Sequence, residues 1–379
     1  MGGGAIQQIS FSQFLEERRL LQRRAPLDGA LEITARCNLS CGHCYINRPA
    51  GDAAEEAREL SLAELERTID EIAEAGCLHL LITGGEPLLR SDFPAAYLHA
   101  LRRGLLVTVF TNGILLTDEV ADLLASYRPF GVEITVYGAT SATCELITRV
   151  PSSHESCLAG IERLVSRGIP LRLKTMALAG NHREVGAMRD LARRFGLPFR
   201  HDGLVNARLS RNGMGHRIHQ LPPERVVELD LEDPDRVLAF RRLAAEEAES
   251  AGTEGTGDRP LYDCGAGRAL FTIDPYGTLH ACGLVRRNGV DIRGGGFAKA
   301  WKERLPGLLS CRRSRPSPCR ACGIAALCGS CAGANELEHA DPESPVAAFC
   351  RVAHLRAHAV GAGRPGHRAD ASCCIGAAC

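Results

Sequence analysis

The feature that most constrains this chain is a group of three cysteines, Cys37, Cys41 and Cys44, spaced C-x3-C-x2-C. They follow a short apolar run that begins at Leu31 and is typical of a buried strand. Three thiolates this close can bind three irons of a cubane cluster and leave the fourth iron open to another ligand. The alternative is a zinc site completed by His43, although zinc motifs usually bring two spaced pairs.

A second motif, Gly84-Gly85-Glu86-Pro87, also ends an apolar run, Leu78 to Thr83. Two glycines let the backbone approach a ligand closely, and a neighbouring carboxylate can bind an ammonium group. The two motifs, in this order and each after a predicted strand, resemble those of the radical S-adenosylmethionine (SAM) enzymes.

The resemblance implies a 4Fe-4S cluster whose open iron binds the amino and carboxylate groups of SAM. By matching position, the cluster ligands are Cys37, Cys41 and Cys44, and the SAM-binding residues are Tyr45 against the adenine, Gly84, Gly85 and Glu86 at the ammonium, and Thr135 and Arg149 at the ribose and carboxylate. Relatives carry an acid where this chain has Tyr137, so a role for that acid does not transfer.

The composition excludes several partner classes. Lys+Arg and Asp+Glu both number 45 in 379 residues, so no net field favours nucleic acid or a membrane surface. No apolar run has bilayer length, and the start lacks a secretory pattern, so we expect a cytoplasmic protein. Seventeen cysteines in such a chain indicate metal ligation instead of disulfides.

From about residue 29 the chain alternates apolar runs with capped amphipathic segments, which predicts an α/β fold with a parallel sheet. Six such units predict a partial (β/α)6 TIM-type barrel, whose loops after the strands form one active-site mouth. Capping boxes are predicted at Ser61 with Glu64 and at Ser152 with Glu155, and Asn181 is predicted to cap a further helix. The predicted strands are 31–34, 78–83, 105–110, 132–136, 171–178 and 199–204.

Composition shifts predict how the chain is organised. The predicted regions are 1–28, an N-terminal lead-in; 29–205, the radical SAM partial barrel; 206–260, a bridging helix and linker; 261–355, a small cysteine-rich domain; and 356–379, a disordered tail that contains Cys373, Cys374 and Cys379.

The cysteines after residue 260 resemble those of the SPASM domain, an iron-sulfur extension of radical SAM enzymes that mature peptides and proteins. A predicted hairpin, 269–273 and 279–282, turns at Asp274 to Gly277 and puts Asp274 on the solvent side. The resemblance implies two auxiliary 4Fe-4S clusters, one on Cys264, Cys282 and Cys331 and the other on Cys319, Cys322, Cys328 and Cys350.

Two departures from the SPASM pattern matter. Only two residues separate Cys328 from Cys331, where three are usual, and no fourth cysteine lies between Cys264 and Cys282. The first auxiliary cluster is then open to substrate or uses another ligand such as Cys311. A zinc ribbon is the alternative interpretation, because C-x2-C pairs also bind zinc.

The family resemblance implies that SAM is cleaved reductively to a 5'-deoxyadenosyl radical, which abstracts hydrogen from a peptide, most often a ribosomally made precursor that receives a thioether or carbon-carbon crosslink. It also implies an electron donor such as flavodoxin or ferredoxin and, where a leader peptide is recognised, a separate binding protein. The same chemistry on a small molecule or a folded protein, and a non-catalytic zinc or iron-sulfur scaffold, are alternatives. Anaerobic sulfatase-maturating relatives carry a catalytic aspartate where this chain has Gly283, which has no titratable group.

Overall fold

The protein is represented by a computed structural model that describes residues 24–46, 48–210, 215–250, 260–262, 264–314, 319 and 322–363. Most of the predicted lead-in, the 251–259 linker and the cysteines of the predicted tail lie outside these residues. Within the described ranges, no helix has the length and apolar character needed to cross a membrane.

A nine-stranded sheet, in the order β11-β10-β9-β1-β4-β5-β6-β7-β8, organises the described residues, with a two-stranded sheet of β2 and β3 beside it. The strands are β1 (Asp28–Thr34), β2 (Arg36–Cys37), β3 (Arg48–Pro49), β4 (His79–Gly84), β5 (Leu106–Thr111), β6 (Gly131–Thr135), β7 (Leu171–Met176), β8 (Phe199–Asp202), β9 (Leu270–Ile273), β10 (Thr278–His280) and β11 (Val290–Asp291). The six strands β1 and β4 to β8 are parallel neighbours, which confirms the predicted α/β architecture.

Helices follow the strands as the alternating pattern predicts. The α-helices are α1 (Ala53–Glu56), α2 (Leu62–Glu74), α3 (Phe93–Arg102), α4 (Asp118–Ser126), α5 (Ser141–Thr148), α6 (Ser153–Ser166), α7 (Val185–Arg194), α8 (Pro223–Leu231), α9 (Pro234–Ser250), α10 (Phe297–Lys299), α11 (Leu305–Leu309), α12 (Ala332–His339) and α13 (Ala347–Ala359). Because α13 continues through Ala359, the predicted start of the tail at residue 356 is too early.

The two faces of the parallel sheet differ in polarity because successive side chains alternate. On the face that packs against the helices, each strand contributes fully buried apolar residues such as Leu31, Ile82 and Leu173. The opposite face, which we call the inner face, carries polar residues at the alternate positions, among them Glu32 and Lys174. The inner face below the mouth is therefore polar.

Helix N-termini agree with the predictions at one site and differ at two. The capping box of Ser61 and Glu64 is confirmed. Ser152 has φ of +55° and makes no side-chain cap, while Glu155 accepts a hydrogen bond from Ser141 instead, so the second predicted box is wrong. Asn181 makes no cap either, because its side-chain oxygen accepts from the Leu178 N–H in the loop after β7, while its side-chain nitrogen donates to the Tyr137 and Met176 carbonyls.

The predicted hairpin of the C-terminal segment is present as β9 and β10, but it extends the main sheet. Strand β9 pairs with β1 in parallel, and apolar residues before and after residue 260 share one core. Asp274 is half-buried and not on the solvent side as predicted, because its carboxylate lies 2.9 Å from His280 Nε2 and accepts backbone hydrogen bonds from Tyr276 and Thr278.

The junction between β1 and β9 depends on one close contact. A Cβ added at Gly29 would lie 2.3 Å from the ring of Phe271. That ring cannot yield easily, because it packs against Phe297 and Trp301 with centroids 4.8 and 5.9 Å away. Glycine at position 29 therefore lets the hairpin lie against the barrel strand.

We expect Gly29→Ala to lower the free energy of unfolding by about 1–3 kcal/mol, the usual cost of overfilling a packed core. Gly131→Ala is the matched control, because a Cβ at that strand residue would meet nothing within 4 Å. Urea denaturation followed by circular dichroism measures both variants. Equal stabilities of the two variants would show that the Phe271 contact does not constrain position 29.

Candidate active site

The cysteine loop after β1 and the glycine-rich loop after β4 are joined by backbone hydrogen bonds. Gly85 N–H donates to the Thr34 carbonyl at 2.8 Å, and Glu86 N–H donates to the Arg36 carbonyl at 2.9 Å. Gly84 has φ of +140°, and a Cβ there would lie 2.2 Å from the Thr34 oxygen. The paired glycines are thus required for the two loops to lie side by side, and their predicted approach to a ligand stays a prediction.

A buried carboxylate, Glu59, connects the same two loops. Arg36, from the cysteine loop, donates to both Glu59 oxygens at 3.0 and 3.1 Å. Arg90, which follows the glycine-rich loop, approaches Glu59 at 3.5 Å and donates to the Ile33 carbonyl at 3.0 Å. Bidentate arginine pairs fix geometry as well as charge. Sequence reasoning missed Glu59, because its partners lie 23 and 31 residues away and no local pattern marks it.

Glu86 has no solvent-accessible surface. Its carboxylate accepts hydrogen bonds from the Leu88 N–H at 3.1 Å, the Thr111 hydroxyl at 2.7 Å and the Asn112 N–H at 2.7 Å. Burial raises the pKa of Glu86 to about 7, although these three donors act in the opposite direction. The carboxylate therefore ties the loops after β4 and β5 together, and its predicted contact with the SAM ammonium stays a prediction.

Asn112, in the loop after β5, brings a third loop to the cysteines. Its side-chain amide donates to Asn38 at 2.7 Å and to the Cys37 sulfur at 3.8 Å. Three successive strand ends therefore meet at one edge of the sheet, as the parallel arrangement predicts.

The three cysteines lie close enough to influence each other electrostatically. Burial raises the pKa of Cys37 to about 12 and also raises the pKa of Cys41, and the charge of Cys44 acts in the same direction on both. A buried Tyr137 hydroxyl bonds to Cys41, and burial together with the nearby sulfurs raises the pKa of that phenol. Tyr137 thus lies at the cysteines, a contact that sequence reasoning did not predict.

This arrangement fits a cluster ligated by three cysteines. In a cubane each thiolate binds a different iron, so the ligands need not converge on one point. Among the described residues, no three Cys, His, Asp or Glu side chains are grouped to hold a single metal ion. His43, the fourth ligand in the zinc alternative, has its ring centroid 5.3 Å from that of Tyr137, and burial lowers the pKa of His43 to about 4.

The other predicted SAM-binding residues lie at different depths. Thr135 is on the inner face of β6, opposite Lys174 in register. Arg149 is exposed at the left-handed end of α5, with its guanidinium beside Gly42 of the cysteine loop. Tyr45 lies within electrostatic reach of Glu32 and Arg286. Arg149 and Tyr45 therefore lie at the cysteine loop and Thr135 at the end of β6, and the roles of all three stay predictions.

Gly283 lies next to an ion pair that joins the hairpin region to the barrel. Arg286 donates to the Gly283 carbonyl at 2.8 Å and to Glu32 at 2.6 Å. Burial raises the pKa of Glu32, and the Arg286 charge opposes that shift. The acid nearest to Gly283 through this chain of contacts is therefore Glu32 of β1, and it is already paired with a cation.

The cysteines of the first predicted auxiliary cluster come together in space. Burial raises the pKa of Cys282, and the charges of Cys331 and Cys264 act in the same direction. Cys282 and Cys311 both lie close enough to Tyr262 for their charges to raise its pKa. Cys311 is thus near the group whose fourth ligand the sequence does not supply.

The second predicted group also gathers in one place. Burial raises the pKa of Cys322 to about 11, with Cys328 and Cys319 adding to the shift. Cys350, on α13, hydrogen-bonds to Cys328, which lowers the pKa of Cys328. The fold thus brings together cysteines that are up to 31 residues apart in sequence. Ligation of a cluster by these four residues stays a prediction.

Comparison with known families identifies the first part of the chain. The sequence model of the radical SAM superfamily matches residues 31–193, which include the cysteine loop and the glycine-rich loop. The chain contains a radical SAM domain. The cofactors that this domain implies are a 4Fe-4S cluster and SAM.

Two relatives are similar over most of the chain and not only over the radical SAM domain. The mycofactocin maturase MftC of Mycobacterium tuberculosis is 29% identical over 323 residues, which cover 82% of this chain and 78% of the relative. The AdoMet-dependent heme synthase of Methanosarcina barkeri is 28% identical over 295 residues, which cover 73% of this chain and 82% of the relative.

Solved structures share the fold well beyond the radical SAM domain. SuiB of Streptococcus suis, bound to S-adenosylmethionine, superposes with a TM-score of 0.63 and 16% identity over 88% of this chain and 80% of SuiB. The enzyme anSMEcpe, with bound AdoMet, superposes with a TM-score of 0.64 and 14% identity over 88% of this chain and 96% of anSMEcpe. At these identities the superpositions establish the fold.

The raised pKa of Glu86 predicts a pH-dependent stability difference. A carboxyl group whose pKa rises from 4.5 to about 7 on folding stabilises the fold below 4.5 and loses that contribution as the pH rises through 7. The melting temperature of the wild type relative to Glu86→Gln should therefore fall as the pH rises from about 4.5 to about 7 and should change little above that. Glu162→Gln, at an exposed position, is the control and should show no such trend. A pH-independent difference between the wild type and Glu86→Gln would contradict the pKa assignment.

Proposed function

We propose that this protein uses SAM to modify a peptide, most simply a ribosomally made precursor that receives a thioether, a carbon-carbon bond or a similar crosslink. The observation that carries the proposal is the joining of the cysteine loop and the glycine-rich loop at one edge of the sheet, through Glu59 and the paired glycines. Similarity to a maturase over 82% of the chain supports the peptide substrate. SuiB, which shares the fold, has been solved with its precursor peptide SuiA.

In this proposal the residues at the mouth have separate roles. Cys37, Cys41 and Cys44 would hold the cluster, which supplies one electron for SAM cleavage when bound. Backbone groups at Gly84 and Gly85 would approach SAM closely because no side chain intervenes. The barrel and the inner face would exclude water from the reacting atoms.

The remaining SAM contacts are assigned by position. Thr135 offers a hydroxyl for the ribose, and Tyr45 an aromatic face for the adenine. Arg149 offers a guanidinium for the carboxylate. Its place beside Gly42 supports this assignment, because a ligand of the open iron must lie against the cysteine loop.

The C-terminal cysteines would hold two auxiliary clusters that return an electron from the oxidised substrate. The grouping of Cys282 with Cys264 and Cys331 supports the first, and Cys311 is the fourth ligand that we favour, since Tyr262 senses both Cys311 and Cys282. We further propose a flavodoxin or ferredoxin as electron donor, a separate protein for leader-peptide binding and a cytoplasmic setting that keeps the thiols reduced.

A small-molecule substrate is the second candidate. The observation in its favour is the similarity to a heme synthase, which is close to that of the maturase in identity and in coverage. A short open reading frame for a precursor beside this gene, and modification of that peptide by the purified protein, would favour the peptide. Conversion of a porphyrin instead would favour the second candidate.

The metal content tests the central assignment. Anaerobically reconstituted protein should bind about twelve irons, as three 4Fe-4S clusters. Cys41→Ala should abolish deoxyadenosine formation and retain about two thirds of the iron. Cys77→Ala, which alters a buried thiol bonded to the carbonyls of Leu27 and His79, is the control and should keep both properties. Stoichiometric zinc without iron would contradict the proposal.

The surroundings of Gly283 predict which oxidation the enzyme does not perform. A general base must lie within hydrogen-bond reach of the proton that it removes. Gly283 has no side chain, while Glu32 is paired with Arg286 and Asp274 with His280. We therefore expect no formylglycine on a sulfatase-type peptide. On the protein's own precursor we expect a crosslink, which removes two hydrogens (about two mass units) and leaves no aldehyde. Mass spectrometry after anaerobic incubation decides, and an aldehyde on the sulfatase peptide would contradict the expectation.

A further inference from the structure

Four charged side chains lie together on the inner face of β6, β7 and β8. Register pairs Glu133 with Arg172, and Lys174 with Arg200. Their neighbours in sequence, such as Ile134 and Leu173, point to the helices, so the four charges share the opposite face. We call this group the β6–β8 charge cluster.

A single carboxylate serves three cations in this cluster. Glu133 lies 2.7 Å from Arg200, 3.3 Å from Arg172 and 3.3 Å from Lys174. Burial acts to raise the pKa of Glu133, but the hydrogen bond from Arg200 and the charges of Lys174 and Arg200 outweigh it, so the pKa is lowered. Glu133 is therefore opposed by two arginines as well as Lys174, and the cluster keeps a positive excess whether or not Lys174 is protonated.

Lys174 is the least solvated of the three cations. Its side chain is 16% exposed, and the ammonium lies 3.0 Å from the centroid of the Phe110 ring. Burial lowers the pKa of Lys174 to about 7, although Glu133 opposes the shift. The chain has only three lysines, Lys174, Lys299 and Lys302. An ammonium held by a ring and one shared carboxylate is short of anionic partners.

The cluster is accessible from solvent at the β8 edge of the sheet. The side chains of Arg172 and Arg200 are 51% and 46% exposed, and β8 is the last strand of the sheet. The nearest further acid on this face by position is Asp202, whose carboxylate accepts a hydrogen bond from the Leu204 N–H. A ligand can therefore reach the excess charge from solvent.

The cluster also lies close to the predicted reaction centre. Lys174 is the register partner of Thr135, which is assigned to the SAM ribose, while Glu133 lies one inner-face position deeper. An anion bound here would lie directly below the mouth. Its identification as part of the substrate rests on the proposed function.

We propose that the β6–β8 charge cluster is a substrate-anchoring subsite that binds a carboxylate through Lys174 and Arg200. The carboxylate is the side chain of an acidic residue near the modified position, or the terminal carboxylate of the substrate. Arg200 offers planar paired donors, and Lys174 supplies a desolvated charge, a combination suited to carboxylate recognition.

The proposal is tested by nuclear magnetic resonance of the protein loaded with its iron-sulfur clusters and labelled with 13C at the lysine ε-carbon. Only three signals are expected, and Lys174→Arg identifies the signal of Lys174. The probes are N-acetylglutamate methylamide for a side-chain carboxylate, N-acetylglycine for a terminal carboxylate and N-acetylglutamine methylamide as the neutral control. A saturable shift of the Lys174 signal with a carboxylate probe, and none with the neutral probe, supports the subsite. The tighter of the two carboxylates identifies the source.

Variants sharpen the measurement. Arg200→Gln should weaken carboxylate binding by about tenfold or more, since it removes a charge-assisted hydrogen bond. Arg193→Gln, at an exposed arginine of α7, is the matched control and should leave binding unchanged. Lys174→Arg should bind N-acetylglutamate methylamide in calorimetry, because the charge is kept, whereas Lys174→Met should not.

Three results would overturn the subsite. One is an equal shift with the neutral probe, and another is no saturable shift with either carboxylate. The third is a loss of SAM affinity in Lys174→Met as large as the loss of probe binding, because the anion would then be the carboxylate of SAM itself. These are binding measurements without turnover, so their failure is separate from a failure of SAM cleavage, which is assayed in the wild type.

Discussion

The site depends first on the shared pairing of Arg36 and Arg90 with Glu59. Each arginine belongs to a different loop, and the carboxylate between them is buried, so a shift of either loop would break an ion pair that lies away from water. Such a network is weak evidence for net stability, because desolvation opposes the attraction. Its effect is positional, since it fixes where the cysteines stand relative to the glycine-rich loop before any cofactor binds.

The fold could be predicted from the sequence wherever the residues of a single segment determine its secondary structure. Apolar runs mark β1 and the five strands β4 to β8, and Ser61 with Glu64 marks the start of α2. The predicted helix caps are wrong where the local backbone or a hydrogen bond to another part of the chain prevents the side chain from capping. Ser152 has a left-handed backbone and makes no side-chain cap, and the side-chain oxygen of Asn181 accepts from the Leu178 N–H instead of capping its own helix.

Some residues of the candidate site could be predicted from the sequence, and others could not. The cysteine triplet and the two glycines have fixed spacings, so the sequence alone located them. Glu59, the contact of Tyr137 with Cys41 and the pairing of Glu32 with Arg286 depend on residues far apart in the chain. Side chains at such separations have no common period, and only the folded sheet brings them together. The same applies to Lys174, which reads in sequence as an ordinary polar strand residue.

The parallel pairing of β9 with β1 makes the cysteine-rich segment part of the barrel's own framework. Strand β1 is therefore an interior strand, with β4 on one side and β9 on the other. A protein shortened before residue 260 would expose the β1 edge, whose unpaired backbone groups invite association with other chains. The segments before and after residue 260 should accordingly protect each other's amides from hydrogen exchange. Neither segment could be replaced without matching changes in the other.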